Sequence, residues 1–184
     1  MRPNWFLALR LPAGGWFAER VTPPPDGFRL FHPADLHLTL AFLGGCTEAD
    51  AFRAWEENHC FDLGPIDATL GEVVPMGDPR RYSALSALLQ RGRRRVEEAM
   101  GRCRARWLRA AGARPDHRPP KAHATLARPL RRAGAEERRR GLAWAASLDL
   151  AGVPVRLEEL VLYTWATDRR ERRFRCAAAR KLGA

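Results

Sequence analysis

Cysteine is scarce in this chain of 184 residues: Cys46, Cys60, Cys103 and Cys176 form no C-x-x-C pair and no ligand-like grouping with histidine. That spacing argues against a disulfide framework and against a structural zinc site. Long apolar runs are missing too, and nothing approaches the roughly 18 residues needed to span a membrane. The apolar stretch Trp5–Leu9 is short, meets Arg10 at once and lacks a small-residue cleavage site. It reads as a first strand rather than a signal peptide, so a soluble cytoplasmic protein is expected. There is no G-x-x-x-x-G-K-[ST] loop, no G-x-G-x-x-G after a strand and no G-x-S-x-G elbow. Nucleoside-triphosphate hydrolysis and serine hydrolysis are therefore disfavoured. Low-complexity tails and long linkers are absent, and residues 1–184 read as one domain. Acidic residues are also in short supply, 21 against 32 Lys and Arg, a formal charge of +11. Such a balance favours polyanionic partners, nucleic acid first. Nearly all of it is arginine in a chain rich in Ala, Gly and Pro, a composition coding bias also favours, so the charge is supporting evidence only.

What is present is a four-residue motif that occurs twice. His37-Leu38-Thr39-Leu40 and His123-Ala124-Thr125-Leu126 each lie inside an apolar run that reads as a strand. Successive strand side chains point to opposite faces. His37 and Thr39 then share one face, with Leu36, Leu38, Leu40 and Phe42 on the other. His123 and Thr125 likewise share a face, opposite Ala122, Ala124 and Leu126. A strand that twice gives a face to imidazole and hydroxyl has the look of one built for chemistry. The separation of the copies is too long for a solenoid period and fits two halves meeting across a cleft.

The rest of the chain alternates strands and helices. Strands are expected over Trp5–Leu11, Phe28–Phe31, Leu36–Leu43, Ile66–Val74, Tyr82–Leu88, Lys121–Ala127, Val153–Leu157, Leu160–Ala166 and Phe174–Ala179. Helices are expected over Trp16–Val21, Glu48–His59 behind a Thr47/Asp50 capping box, Leu89–Ala111 and Ala133–Ser147. In the third of these Val96, Met100, Cys103 and Trp107 form one apolar stripe. The mixed order and doubled motif predict an α+β fold of two pseudo-twofold-related lobes, each with an antiparallel sheet and helices, around a cleft.

Two histidines on one cleft can run an acid–base cycle near neutral pH, one taking a proton from the nucleophile while the other gives one to the leaving group. Two threonine hydroxyls from opposite sides suit the oxygens of a phosphoryl centre. The scheme needs no metal and no cofactor, and no third ligand stands at a usable spacing for a metal. Lys121 shares the His123 face. Arg128 lies beyond the second motif and could approach the same anion, although alternation places it on the face opposite His123. His32, His59 and His117 stand alone and read as surface residues. The Arg93–Arg95 and Arg138–Arg140 runs read as solvated helix faces. Arg169, Arg170, Arg172 and Arg173 cluster in an expected turn, divided evenly between solvation and an RNA-phosphate role.

The doubled His-x-Thr motif resembles the 2H phosphoesterase superfamily, and within it the bacterial RNA 2′,3′-cyclic phosphodiesterases, also called 2′-5′ RNA ligases. The similarity runs from Trp5–Leu9 with Leu11-Pro12, through the block Pro33–Gly44 and His123–Arg128, to Leu160–Tyr163 and Phe174. The resemblance implies metal-independent hydrolysis of an RNA 2′,3′-cyclic phosphate end, tRNA fragments being one source, to a 2′-phosphomonoester by a monomeric protein. It implies His37 as proton donor to the departing 3′ oxygen, His123 as proton acceptor from water, and Thr39, Thr125, Arg128 and Lys121 as substrate-binding residues. The residues themselves leave open which histidine is acid and which base. A 2′-5′ ligase activity is the reverse sense of related chemistry. The alternatives are a phosphodiesterase for other 2′-5′-linked or cyclic nucleotides, and an RNA-end-binding protein without turnover. Two departures from the family pattern bear on substrate preference: Arg81-Tyr82-Ser83-Ala84-Leu85 where an apolar strand with Trp is usual, and the arginine-rich last hairpin.

Overall fold

Among the described residues, apolar alternation gives nine strands and the helical period four α-helices. The computed structural model describes residues 2–183. The strands are β1 (Trp5–Arg10), β2 (Phe28–Leu30), β3 (His37–Gly44), β4 (Ile66–Pro75), β5 (Leu85–Leu89), β6 (His123–Pro129), β7 (Pro154–Leu157), β8 (Glu159–Trp165) and β9 (Phe174–Lys181). The helices are α1 (Gly14–Arg20), α2 (Glu48–Glu56), α3 (Arg93–Ala110) and α4 (Ala135–Ser147). The α+β class and its two related halves follow the expectation.

All strand pairings are antiparallel, and the order is β7-β4-β5-β6-β3-β1-β8-β9, with β2 added against β6. The order is symmetric about the β6/β3 junction. Each motif strand has a partner (β5 or β1), then a strand taken from the other half of the sequence (β4 or β8). The chain thus crosses between halves after α2 and again after β7, which laces the lobes together. The junction itself is one residue pair, Leu38 opposite Ala124. Both side chains are buried in the main core.

Helix positions follow from the same patterning. The Thr47/Asp50 capping box forms: Thr47 Oγ1 accepts from Asp50 N at 3.2 Å and the Asp50 carboxylate accepts from Thr47 N at 3.1 Å. The Val96, Met100, Cys103 and Trp107 stripe of α3 is buried and packs over β3 and α2. Two boundaries shift for local reasons. Leu89 ends β5, paired with Leu70, because Gly92 turns the chain at φ 80°, a conformation disfavoured for any residue with a Cβ. Tyr82 lies before β5, not in it, with its hydroxyl donating to Arg138 O at 2.7 Å. Arg138 in turn lies over the Tyr82 ring and is no longer a solvated face residue.

Gly141 makes that contact between α4 and the sheet close. A Cβ there would overlap the Phe28 ring and stand 2.6 Å from the Tyr82 hydroxyl. Ala is the better helix former by ~1 kcal/mol, but overpacking costs ~1–3 kcal/mol. Gly141→Ala is therefore expected to lower stability in urea titration; an unchanged or higher midpoint would refute the packing account.

Candidate active site

Both motif strands carry an extra residue at the same place. Thr39 lies opposite Ala8 and Ala41 opposite Leu7, so Leu40 is a bulge residue. Thr125 lies opposite Ser86 and Ala127 opposite Leu85, so Leu126 is its counterpart. A bulge reverses which face the following side chains take. Leu40 and Ala41 are both buried, as are Leu126 and Ala127. The next residues, Phe42 and Arg128, therefore come round to the His/Thr face. This corrects strict alternation, which put Phe42 and Arg128 on the opposite face. The carbonyls freed by the bulges are both satisfied: Leu40 O accepts from Arg104 Nε at 3.3 Å, and Leu126 O from Phe31 N at 2.7 Å.

Antiparallel register about the Leu38/Ala124 pair sets His37 across from Thr125 and Thr39 across from His123. The four motif residues thus form a diagonal quartet on the concave face, with Phe42 at one end and Arg128 at the other. Ser86 adds a hydroxyl 3.3 Å from Thr125 Oγ1.

Both imidazoles are held alike. His37 Nδ1 lies 2.6 Å from Asp35 O, and His123 Nδ1 lies 2.7 Å from Lys121 O. A carbonyl can only accept, so Nδ1 carries hydrogen in both rings and Nε2 is the free nitrogen. His37 sits in an aromatic box, with ring centroids of Phe6 at 4.8 Å, Tyr163 at 5.5 Å and Phe174 at 5.3 Å. Burial there pushes its pKa down to about 4, with the charges of Arg128 and His123 acting in the same direction against the Asp35 hydrogen bond. Burial also lowers His123, helped by Lys121, Arg128 and Arg118. Burial raises the Tyr163 phenol to about 12, and its hydroxyl is buried without a hydrogen-bond partner.

The structure brings His37, Thr39, His123, Thr125 and Arg128 to one trough, and the Lys121 charge acts on His123. His32, His59 and His117 are all exposed, as read from sequence, and His32 also caps the turn before β3 by accepting from Ala34 N at 3.1 Å. Four residues were missed, the buried Ser86 beside Thr125 among them. Asp35 is fully buried, and its carboxylate accepts from Arg172 Nε at 2.9 Å and Arg173 N at 2.7 Å while its carbonyl orients His37. Phe6 and Tyr163 reach the site from neighbouring strands. Only the position of Asp35, two before the motif histidine, offered any signal in the sequence. Among the described residues no three His, Cys, Asp or Glu side chains gather into a set that could hold a metal ion. No helix among them is long and apolar enough to cross a membrane.

No family model and no curated protein matches the sequence. Solved structures do match. TT0787 of Thermus thermophilus superposes with a TM-score of 0.74 at 20% identity, covering 97% of each chain. E. coli LigT complexed with 3′-AMP gives 0.68 at 22% identity over 100% of both. Kluyveromyces marxianus Usb1 gives 0.54 at 15% identity, over 86% of this chain and 92% of its own. The chain has the 2H phosphoesterase fold. The pseudo-twofold expected between the two motifs falls here between β3 and β6.

Proposed function

We propose that the protein is an RNA 2′,3′-cyclic phosphodiesterase. The observation that carries this is the paired imidazoles. Each has Nδ1 tied to the carbonyl two residues before it, leaving two Nε2 atoms beside two hydroxyls and a guanidinium. E. coli LigT has been crystallised with 3′-AMP and with phosphate, and a nucleotide phosphate is the ligand this quartet suits.

In the proposed reaction water attacks phosphorus, its proton passes to His123 Nε2, and the P–O3′ bond breaks as His37 gives a proton to O3′. The product is a 2′-phosphomonoester. Thr39, Thr125 and Arg128 donate to the non-bridging oxygens as charge builds. Burial, with the charges of Lys121, Arg128 and Arg118, favours the neutral form of His123 that a base needs. His37, with its pKa near 4 in the free site, acquires its proton only when phosphate lies over it and offsets burial and Arg128. The exchanged order, His37 as base and His123 as acid, is the second reading, favoured by that same low pKa. Phe42, half exposed at the far end of the trough, offers a ring face to the terminal base.

The deciding experiment is hydrolysis of a 2′,3′-cyclic mononucleotide and of cyclic-ended RNA in EDTA, with phosphate position assigned by phosphorus NMR. A 2′-phosphate is expected from both. Cleavage confined to 2′-5′ linkages would point to the alternative phosphodiesterase, and RNA bound but left intact to an end-binding protein. Loss of rate in EDTA, restored by a divalent ion, would refute metal independence.

A further inference from the structure

The arginines at the Arg128 end of the trough are built into the fold rather than displayed on a loose turn. Arg29 and Arg128 are cross-strand neighbours in β2 and β6. The Arg29 guanidinium donates to Arg169 O at 2.9 Å and Arg170 O at 3.0 Å, so β2 clamps the β8–β9 hairpin. From the other side, buried Asp35 holds Arg172 and the Arg173 amide, and Arg172 also donates to Ala34 O at 2.9 Å. The guanidinium of Arg173 then lies 5.7 Å from the Phe31 ring centroid, beside that of Arg128 at 5.5 Å, and Arg169 stacks 4.1 Å over Trp165. Beside them is a recess of about 290 Å³ lined by Arg29, Phe31, His32, Arg170, Glu171 and Arg173.

The charge in this recess is poorly compensated. Arg93, Arg104 and Arg156 each have a carboxylate within 4 Å, whereas among the described residues the Arg29, Arg128, Arg169, Arg170 and Arg173 side chains have none. Asp35 is committed to Arg172 and a backbone amide, and Glu171 is the remaining acid on the lining. Burial, then the charges of Arg29, Arg128 and Arg169, hold the Arg173 pKa below its ordinary value. The Arg169 Nε is buried without a partner. Like charges packed this closely are costly unless an anion joins them. Guanidinium planes laid on aromatic rings keep their edges free for paired hydrogen bonds to phosphate.

We infer that this recess is a second phosphate subsite, one that takes the internal phosphodiester next to the reacting end of an RNA strand. It rests on the phosphodiesterase reading and adds the substrate's size: an oligonucleotide end is preferred to a mononucleotide. The reacting phosphate lies on the His/Thr quartet, and the strand leaves past Arg128 into the recess. A cyclic mononucleotide has no second phosphodiester to place there. Arg172, by contrast, is a positioning residue that anchors the hairpin.

The test compares kcat/KM for a cyclic mononucleotide and for a tetranucleotide RNA with the same cyclic end. Wild type should favour the RNA by about tenfold or more, the scale of one charged contact, and the double variant Arg170→Ala/Arg173→Gln should bring the ratio toward one. Binding is measured separately, with a tetranucleotide ending in a 2′-phosphate, over a salt series. The slope of log K against log salt should be shallower by about 0.7 in the double variant, the loss of one single-strand phosphate contact. Arg139→Ala, on the outer face of α4, should keep the wild-type slope. A wild-type ratio near one, equal slopes in wild type and double variant, or an equal fall in Arg139→Ala would each overturn the subsite. If no cyclic phosphate is turned over at all, the phosphodiesterase reading fails, and the salt slopes still decide the subsite.

Discussion

Replacing His37 or His123 by alanine is expected to lower kcat on cyclic-ended RNA by about 10²–10⁴, the usual scale for one acid–base group. The double variant should lose little more than the worse single, because the two rings serve one concerted proton transfer. A second substrate separates their roles. A 4-nitrophenyl phosphodiester releases an anion that needs no proton, so loss of the general acid should cost it little, whereas loss of the base should cost it as much as it costs RNA. With His37 as acid, His37→Ala nearly recovers on the activated ester and His123→Ala does not. The opposite pattern would assign the base to His37, as its burial in the Phe6, Tyr163 and Phe174 box favours. Near wild-type kcat on RNA in either variant would end the two-histidine mechanism. Protein content in the folded state must be matched by circular dichroism, since His37 belongs to the packed aromatic cluster.

The quartet was legible in the sequence because its signal is local: His-x-Thr inside an apolar run fixes which residues share a face. The same rule failed three residues later in both strands. Leu40 and Leu126 bulge, and no period-two pattern announces that, since Leu-Ala-Phe and Leu-Ala-Arg read as ordinary strand. The bulges are set by partners far away in the chain, Arg104 from α3 on Leu40 O and the Phe31 amide on Leu126 O. The aromatic box was hidden for the same reason. Phe6 and Tyr163 read as core residues, and only the pairing of β3 with β1 and of β1 with β8 sets them beside His37. Of the four hairpin arginines, which the sequence treats alike, Arg172 is tied to Asp35 while Arg173 faces the recess. That distinction exists only once the hairpin folds back onto the turn before β3. The exchange of β4 and β8 between halves was likewise beyond a reading by elements, because strand order depends on non-local pairing.

Burial of His37 also makes stability depend on pH in a window of its own. Its pKa is about 4 in the fold against 6.5 for the free side chain. As pH falls below 6.5 the unfolded chain takes up this proton first, so stability is full above pH 6.5 and is lost progressively toward pH 4. The shift corresponds to about 3 kcal/mol in all, of which about 2 kcal/mol should be gone by pH 5. His123, lowered by burial in the same direction, adds to the loss. The carboxylates held low, Asp50, Asp116 and Glu137, act mainly in a more acidic range, because their unfolded-state pKa values lie near 4. Urea titrations at pH 7 and pH 5 should therefore show a drop that His37→Asn reduces by about 2 kcal/mol. An equal drop in wild type and His37→Asn would mean that His37 is not the group responsible. Inorganic phosphate at pH 5 should restore part of the wild-type stability, since an anion over the quartet favours the charged imidazole that burial opposes. That recovery would be the equilibrium counterpart of the proton transfer: the same anion that lets His37 charge in the fold is the one that, in the reaction, arms it as an acid.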